Sequence, residues 1–203
     1  MTTIIEISGI KQIRQTQLPC ELKISLAAGE GLAIFGPNGI GKSTLLDILA
    51  GILPDKTAQI TINGTLGYAM QKDGFYSNLS CKDNLILEAN YAQIPKAEIA
   101  TVVAECAELF GVTPFLNKKV AKLSAGMRGK LALAAVFICQ PQILLMDESF
   151  NALDEQTVID IKKVLKKKKQ DGLALLFVSH NREEFEGLCE KMLTFPELEE
   201  FSL

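Results

Sequence analysis

Gly36-Pro37-Asn38-Gly39-Ile40-Gly41-Lys42-Ser43 places glycines, a lysine and a hydroxyl in an order that suits a polyphosphate. The stretch fits G-x-x-x-x-G-K-[ST], the P-loop pattern. Glycine lets the backbone curl around an anion and turn its N–H groups inward. A helix starting at the loop adds the partial positive charge of its N-terminus. Lys42 supplies a full charge for the outer phosphates, and Ser43 offers a hydroxyl to Mg2+. The residues predict phosphate contacts from Gly36 through Thr44.

Further along, Gln142-Ile143-Leu144-Leu145-Met146-Asp147-Glu148 is an apolar run that ends in two acids. A strand with this ending carries Asp147 to the carboxyl edge of a sheet, where Mg2+ sits beside a P-loop. Glu148, one residue on, is placed to take a proton from an attacking water. His180 is the single histidine and directly follows a second apolar run, Leu173–Ser179. At that edge it could touch phosphate or water. Acids often end strands and a lone histidine is often structural. It is their shared edge with the P-loop that favours the site reading.

The elements that must position these groups are legible. Gly31–Phe35 reads as a buried strand and Ser43–Ala50 as a helix closed by Gly51. Alternating residues over 2–8 and 20–28 predict half-solvated antiparallel strands, and Ala58–Gly64 and Thr65–Gln71 predict two more. Lys82–Ala92 and Lys96–Phe110 are helical patterns, as are Ser124–Cys139, with Ser124 as N-cap, and Glu155–Lys169. Continuous apolar strands alternating with helices point to a parallel sheet.

Composition sets bounds. The 203 residues suffice for one substantial core, and 48% apolar with 22% charged residues is a globular balance. A net charge of −3 gives no general drive towards nucleic acid. Apolar runs fall far short of a membrane span. The start, Met1–Glu6, lacks the features of a signal peptide. Five scattered cysteines predict small buried side chains in a reducing compartment. Lys166–Lys169 reads as a solvated helix end favoured by the helix dipole.

Taken in order, Gly36–Ser43, Gln71, Leu123-Ser124-Ala125-Gly126-Met127, Asp147-Glu148, Ala152-Leu153-Asp154 and His180 resemble the motifs of the ATP-binding cassette (ABC) ATPases. The resemblance covers nearly the whole chain and is strongest to compact single-domain subunits of bacterial exporters. It implies an α/β P-loop NTPase with a mostly parallel sheet core, an antiparallel β subdomain at the N-terminus and a helical insert lobe. Residues 1–71 and 123–203 would form the ATP-binding core, and 72–122 the lobe. Gln71 would join Ser43 and Asp147 at Mg2+ and act with Glu148 and His180 in hydrolysis. Ser124, Ala125 and Gly126, the signature, would reach the γ-phosphate of ATP held by a second subunit, most simply another copy of this chain.

The resemblance further implies a separate transmembrane permease as partner, no nucleic acid, and a cytoplasmic chain lying peripherally on the inner face of the cell membrane. The rivals are a non-transport cassette acting on nucleic acid or ribosomes, and an ATP-dependent dimerisation module with little hydrolysis. Some positions depart from the family. Met127 replaces the signature glutamine, Ser149 a proline and Asn151 a serine. No aromatic residue precedes Phe35, so an aliphatic residue near Ile10 or Ile13 is expected at the adenine. The short span from Lys42 to Gln71 predicts a trimmed β-hairpin between Asn63 and Gly67. Phe75 and Tyr76 either pack inside the helical lobe or face the permease.

Overall fold

A computed structural model describes residues 3–14, 16–71, 73–150 and 153–203. The chain divides into two compact units. One comprises Met1–Tyr68, Gln142–Glu148 and Lys166–Leu203, and the other Ala69–Pro141 and Ser149–Leu165. Alternation at the N-terminus becomes β1 (Thr3–Ile13) and β2 (Thr16–Ala27), paired antiparallel with Ile7 opposite Ile24. Both strands run longer than their alternation predicts. Their inward face carries Ile5, Ile7, Ile24 and Leu26 into the core. β3 (Gly31–Phe35) follows and leads to helix α1 (Lys42–Leu49).

β4 (Gln59–Ile62) adds antiparallel to the free side of β1, completing a three-stranded sheet. β5 (Leu66–Ala69) belongs to the other, six-stranded sheet. The expected hairpin between Asn63 and Gly67 therefore does not form. Those few residues carry the chain from one sheet to the other, so β4 and β5 never pair. β5 also stops two residues short of Gln71.

In the second unit, α2 (Cys81–Tyr91) opens with a capping box. Ser80 accepts from the Asp83 N–H, and Asp83 accepts from the Ser80 N–H. α3 (Ile99–Leu109) buries Val102, Val103 and Cys106, and α4 (Ala125–Phe137) buries Leu131, Leu133 and Phe137. The Phe110 and Phe137 rings meet at 4.9 Å, a spacing that adds to the gain from burial alone. Buried Asn84 clamps the preceding loop by accepting from the Tyr76 N–H and donating to the Tyr76 and Ser80 carbonyls. Phe75 is half-buried, whereas Tyr76 is exposed beside Tyr91.

The six-stranded sheet is completed by β6 (Ile143–Asp147), β7 (Ala174–Ser179), β8 (Lys191–Thr194) and β9 (Glu200–Ser202), in the order β5-β6-β7-β3-β8-β9. β6, β7, β3 and β8 run parallel, and β9 turns back antiparallel on β8. Every residue of β6 and β7 is buried, which explains their unbroken apolar sequences. Between these two strands lies α5 (Glu155–Gln170), and after β7 comes the short helix α6 (Arg182–Phe185).

Two expectations hold only in part on burial, with Lys166 and Lys167 exposed as expected. Lys169 is not solvated, because its ammonium is buried and donates to the Leu188 carbonyl and to both Glu190 oxygens. A buried charge persists only when paired in this way. Cys20, by contrast, is exposed, while Cys81, Cys106 and Cys189 are buried as expected. Among the described residues no helix is long and apolar enough to cross a membrane.

Candidate functional site

β3 ends where Phe35 pairs with Ser179, and the Gly36 N–H points back to the Ser179 carbonyl at 3.4 Å. The chain then turns through Gly39 and Gly41, at φ of 79° and 115°. These left-handed angles favour glycine. Gly41 is doubly constrained, since a Cβ there would lie 2.8 Å from Ile13 Cγ2. The Thr16 hydroxyl holds the same loop by donating to the Ile40 carbonyl. Ile10 and Ile13 are both fully buried, so neither is displayed to a base as the sequence suggested. The inward demand of the β1–β2 face takes them into the core.

α1 begins at Lys42 without a side-chain cap, leaving its first N–H groups directed at the loop. The Lys42 ammonium is buried and donates to the Gly36 and Pro37 carbonyls at 2.8 and 2.9 Å. Burial lowers its pKa, opposed by the nearby Glu148 and Asp147 charges. The Thr44 hydroxyl is buried and has no hydrogen-bond partner among the described residues. Leaving such a group unpaired costs about 1–3 kcal/mol, and a phosphate oxygen would satisfy it.

β6 delivers Asp147 beside this loop. The Ser43 hydroxyl donates to Asp147 Oδ1 at 3.0 Å. Burial raises the Asp147 pKa. The Ser43 hydrogen bond opposes that rise, and the charges of Glu148 and Asp47 add to it. Two hard oxygens in contact fit Mg2+, which takes one or two protein ligands and fills its shell with phosphate and water. No cluster of three or more His, Cys, Asp or Glu that could hold a metal occurs among the described residues.

Glu148 sits in the left-handed region at φ 45°, with its N–H bonded to the Val178 carbonyl. A non-glycine residue held there is strained, and such strain gathers at functional positions. Its carboxylate is 3.9 Å from the Lys42 ammonium and 2.8 Å from His180 Nδ1. The first unit therefore brings together Gly36–Thr44, Asp147, Glu148 and His180, residues drawn from three distant stretches of sequence.

Gln71 and the signature residues lie in the second unit. Gln71 is exposed, just past β5. Ser124 caps α4 by accepting from the Met127 N–H at 3.2 Å. Its own hydroxyl proton remains available, and both Ser124 and Ala125 are exposed at the helix start. Gly126 is buried. A Cβ there would meet Asp154 Oδ2 at 2.7 Å, so any larger residue would have to displace that carboxylate. Asp154 in turn binds the Thr157 N–H and hydroxyl at the start of α5. Asn151 and Ala152, which the sequence places at the head of this loop, lie outside the described residues.

One pair was missed from sequence. Arg128 grips Asp73 through both oxygens, at 2.5 and 2.7 Å, joining the start of α4 to the chain two residues after Gln71. The contact spans 55 positions, and no local pattern announces it.

Comparison with known proteins bears on this geometry. The sequence profile described as ABC transporter matches residues 20–151. The molybdate/tungstate import ATP-binding protein of Thermococcus kodakarensis is 32% identical over 202 residues, 93% of this chain and 61% of that protein. The Nod factor export ATP-binding protein I of Rhizobium leguminosarum is 30% identical over 184 residues, 85% of this chain and 59% of that protein. The chain thus spans about 60% of the length of these curated relatives. A solved dimeric ATP-binding cassette, in a post-hydrolysis state bound to ADP and Pi, shares the fold with a TM-score of 0.85. It is 21% identical and covers 98% of each chain.

The raised Asp147 pKa yields a signed prediction. A carboxyl whose folded pKa exceeds its unfolded value destabilises the fold when ionised, and the burden lifts as pH falls through the folded value. Asp147→Asn keeps an oxygen for Ser43 and removes that charge. Without nucleotide it should melt a few degrees above wild type at pH 7, and the gap should close in acid. Scanning calorimetry across pH measures this. A lower melting temperature at pH 7 would show the charge to be net stabilising.

Proposed function

The chain belongs to the ABC transporter family, and from that premise we propose that it binds and hydrolyses ATP as the motor subunit of a transporter. The observation that carries the reading is the joining of Lys42, Ser43, Asp147, Glu148 and His180 at one sheet edge. The loop N–H groups and the α1 N-terminus hold the β- and γ-phosphates. Lys42 turns from the Gly36 and Pro37 carbonyls to the phosphates, and Thr44 gains the partner it lacks. Ser43 and Asp147 would hold Mg2+, which would supply positive charge to offset that of the phosphates. Glu148 takes the proton of the attacking water. His180 holds that carboxylate in place through Nδ1 when the proton sits there.

In this reading Gly36–Thr44 is half a site. Ser124, Ala125 and Gly126 complete it from a second copy, presenting the exposed start of α4 to the γ-phosphate, and Gln71 joins the Mg2+ end. The dimeric cassette with ADP and Pi supports that pairing. Hydrogen bonds to charged groups are worth about 1.5–3 kcal/mol each. Two donors at each of two sites give roughly 6–12 kcal/mol, against an association cost of about 4–15 kcal/mol. Closure is near balance, so loss of the γ-phosphate opens the pair. A separate transmembrane permease would feel that motion, with the chain held peripherally on the inner face of the membrane. The relatives' names include both import and export systems, and the same motor serves either direction.

The short contact between Glu148 and His180 favours hydrolysis over a binding-only module. Glu148→Gln should bind ATP, turn it over at least about a hundredfold more slowly and run as a dimer in ATP by light scattering. A monomeric, ATP-loaded variant would contradict the closure. Extraction of membranes with detergent should recover the chain with a hydrophobic multi-span protein. Recovery only as a free chain would count against transport.

A further inference from the structure

His180 must hold its ring against Glu148, yet it follows the last residue of β7 and is itself exposed. What fixes it lies beneath. Ser179 is fully buried, and its hydroxyl donates to Glu184 Oε2 at 2.7 Å while accepting from the Asn181 N–H at 2.9 Å. One hydroxyl thus ties together the residues on both sides of His180. Glu184 is an acid buried on α6, and α6 is anchored by Phe185, whose ring lies 6.3 Å from both Phe35 and Phe177. Arg182 covers the Phe35 ring from 5.2 Å. Asn181 caps the same helix by accepting from the Glu183 N–H.

A buried carboxylate is retained only where it is bonded. Here the bond does more than satisfy it. The Glu184 carboxylate directs the Ser179 hydroxyl proton towards itself, leaving the oxygen lone pairs for Asn181. Without that direction the hydroxyl could rotate and release the turn. We propose that Ser179 and Glu184 are positioning residues for His180, a buried hydroxyl–carboxylate clamp that sets the ring so that Nδ1 faces Glu148. The inference rests on the hydrolytic reading above for its consequence, but its geometry can be tested without turnover.

His180 is the single histidine, so its imidazole signals need no assignment. Long-range proton–nitrogen spectra at pH 8 read which ring nitrogen carries the proton. In the wild type they should show Nδ1–H predominating. Ser179→Ala and Glu184→Ala should shift the ring towards the Nε2–H form of free histidine, and Ser179→Thr, which keeps the hydroxyl, should restore the wild-type pattern. Glu184→Gln retains an acceptor oxygen and should fall between, which covers the case in which an alanine variant fails to fold. In steady-state hydrolysis Ser179→Ala should lower kcat about tenfold with KM within about twofold, and should cause no further loss in a His180→Ala background. Wild-type tautomer populations in Ser179→Ala and Glu184→Gln, or a full loss in the His180→Ala background, would overturn the clamp. No ATP hydrolysis by the wild type would overturn the hydrolytic reading, and hydrolysis unaffected by His180→Ala would overturn the role of His180 in it; both outcomes leave the tautomer result standing.

Discussion

A buried ammonium among carboxylates is the constraint on which this site depends. Lys42 is withdrawn from water at the start of α1, and burial lowers its pKa. Two carbonyls of its own loop and the neighbouring charges of Glu148 and Asp147 oppose that. Asp147 is buried in turn and leans on the Ser43 hydroxyl. Each group is tolerable because another is present. A parallel sheet is what makes the arrangement possible. β3, β6 and β7 all end at one edge, so residues far apart in sequence arrive together.

Much of this was legible in the residues. The apolar runs 31–35, 142–148 and 173–179 became β3, β6 and β7 almost to the residue, because strands buried on both faces have little choice of side chain. Ser124 was readable as an N-cap, since a cap is a local matter of one side chain and the next turn. What stayed hidden was decided at a distance. The chain between Asn63 and Gly67 looks like a hairpin turn, and only the pairing of β4 with β1 shows that it changes sheets. Lys169 belongs by sequence to a solvated run, and Glu190, across the fold, is what draws it inward. Arg128 and Asp73 carry no mark of their pairing. The strain at Glu148 was also invisible, because its φ belongs to a backbone whose N–H is held by Val178, distant in sequence, and no side-chain pattern marks it.

The signature stretch shows how one sequence can serve two ends. Locally, Ser124 caps a helix and Gly126 makes room for Asp154, both structural reasons sufficient in themselves. Yet the helix start they create is exposed, with a hydroxyl proton free to donate and backbone N–H groups aligned with the helix axis. That is the profile of an anion contact awaiting its ligand from elsewhere. In the proposed function that helix start would meet the γ-phosphate held by the loop of a second molecule.

The central claim, that each site is shared between two molecules, can be put to one measurement. A Lys42→Ala chain lacks a working phosphate loop, and a Ser124→Arg chain lacks a working signature. Each alone should hydrolyse ATP at background rates. In a mixed dimer, the intact loop of the second chain meets the intact signature of the first, and one whole site is rebuilt. Mixing the two inactive preparations should restore ATP hydrolysis. A mixture that forms dimers and stays at background would contradict it.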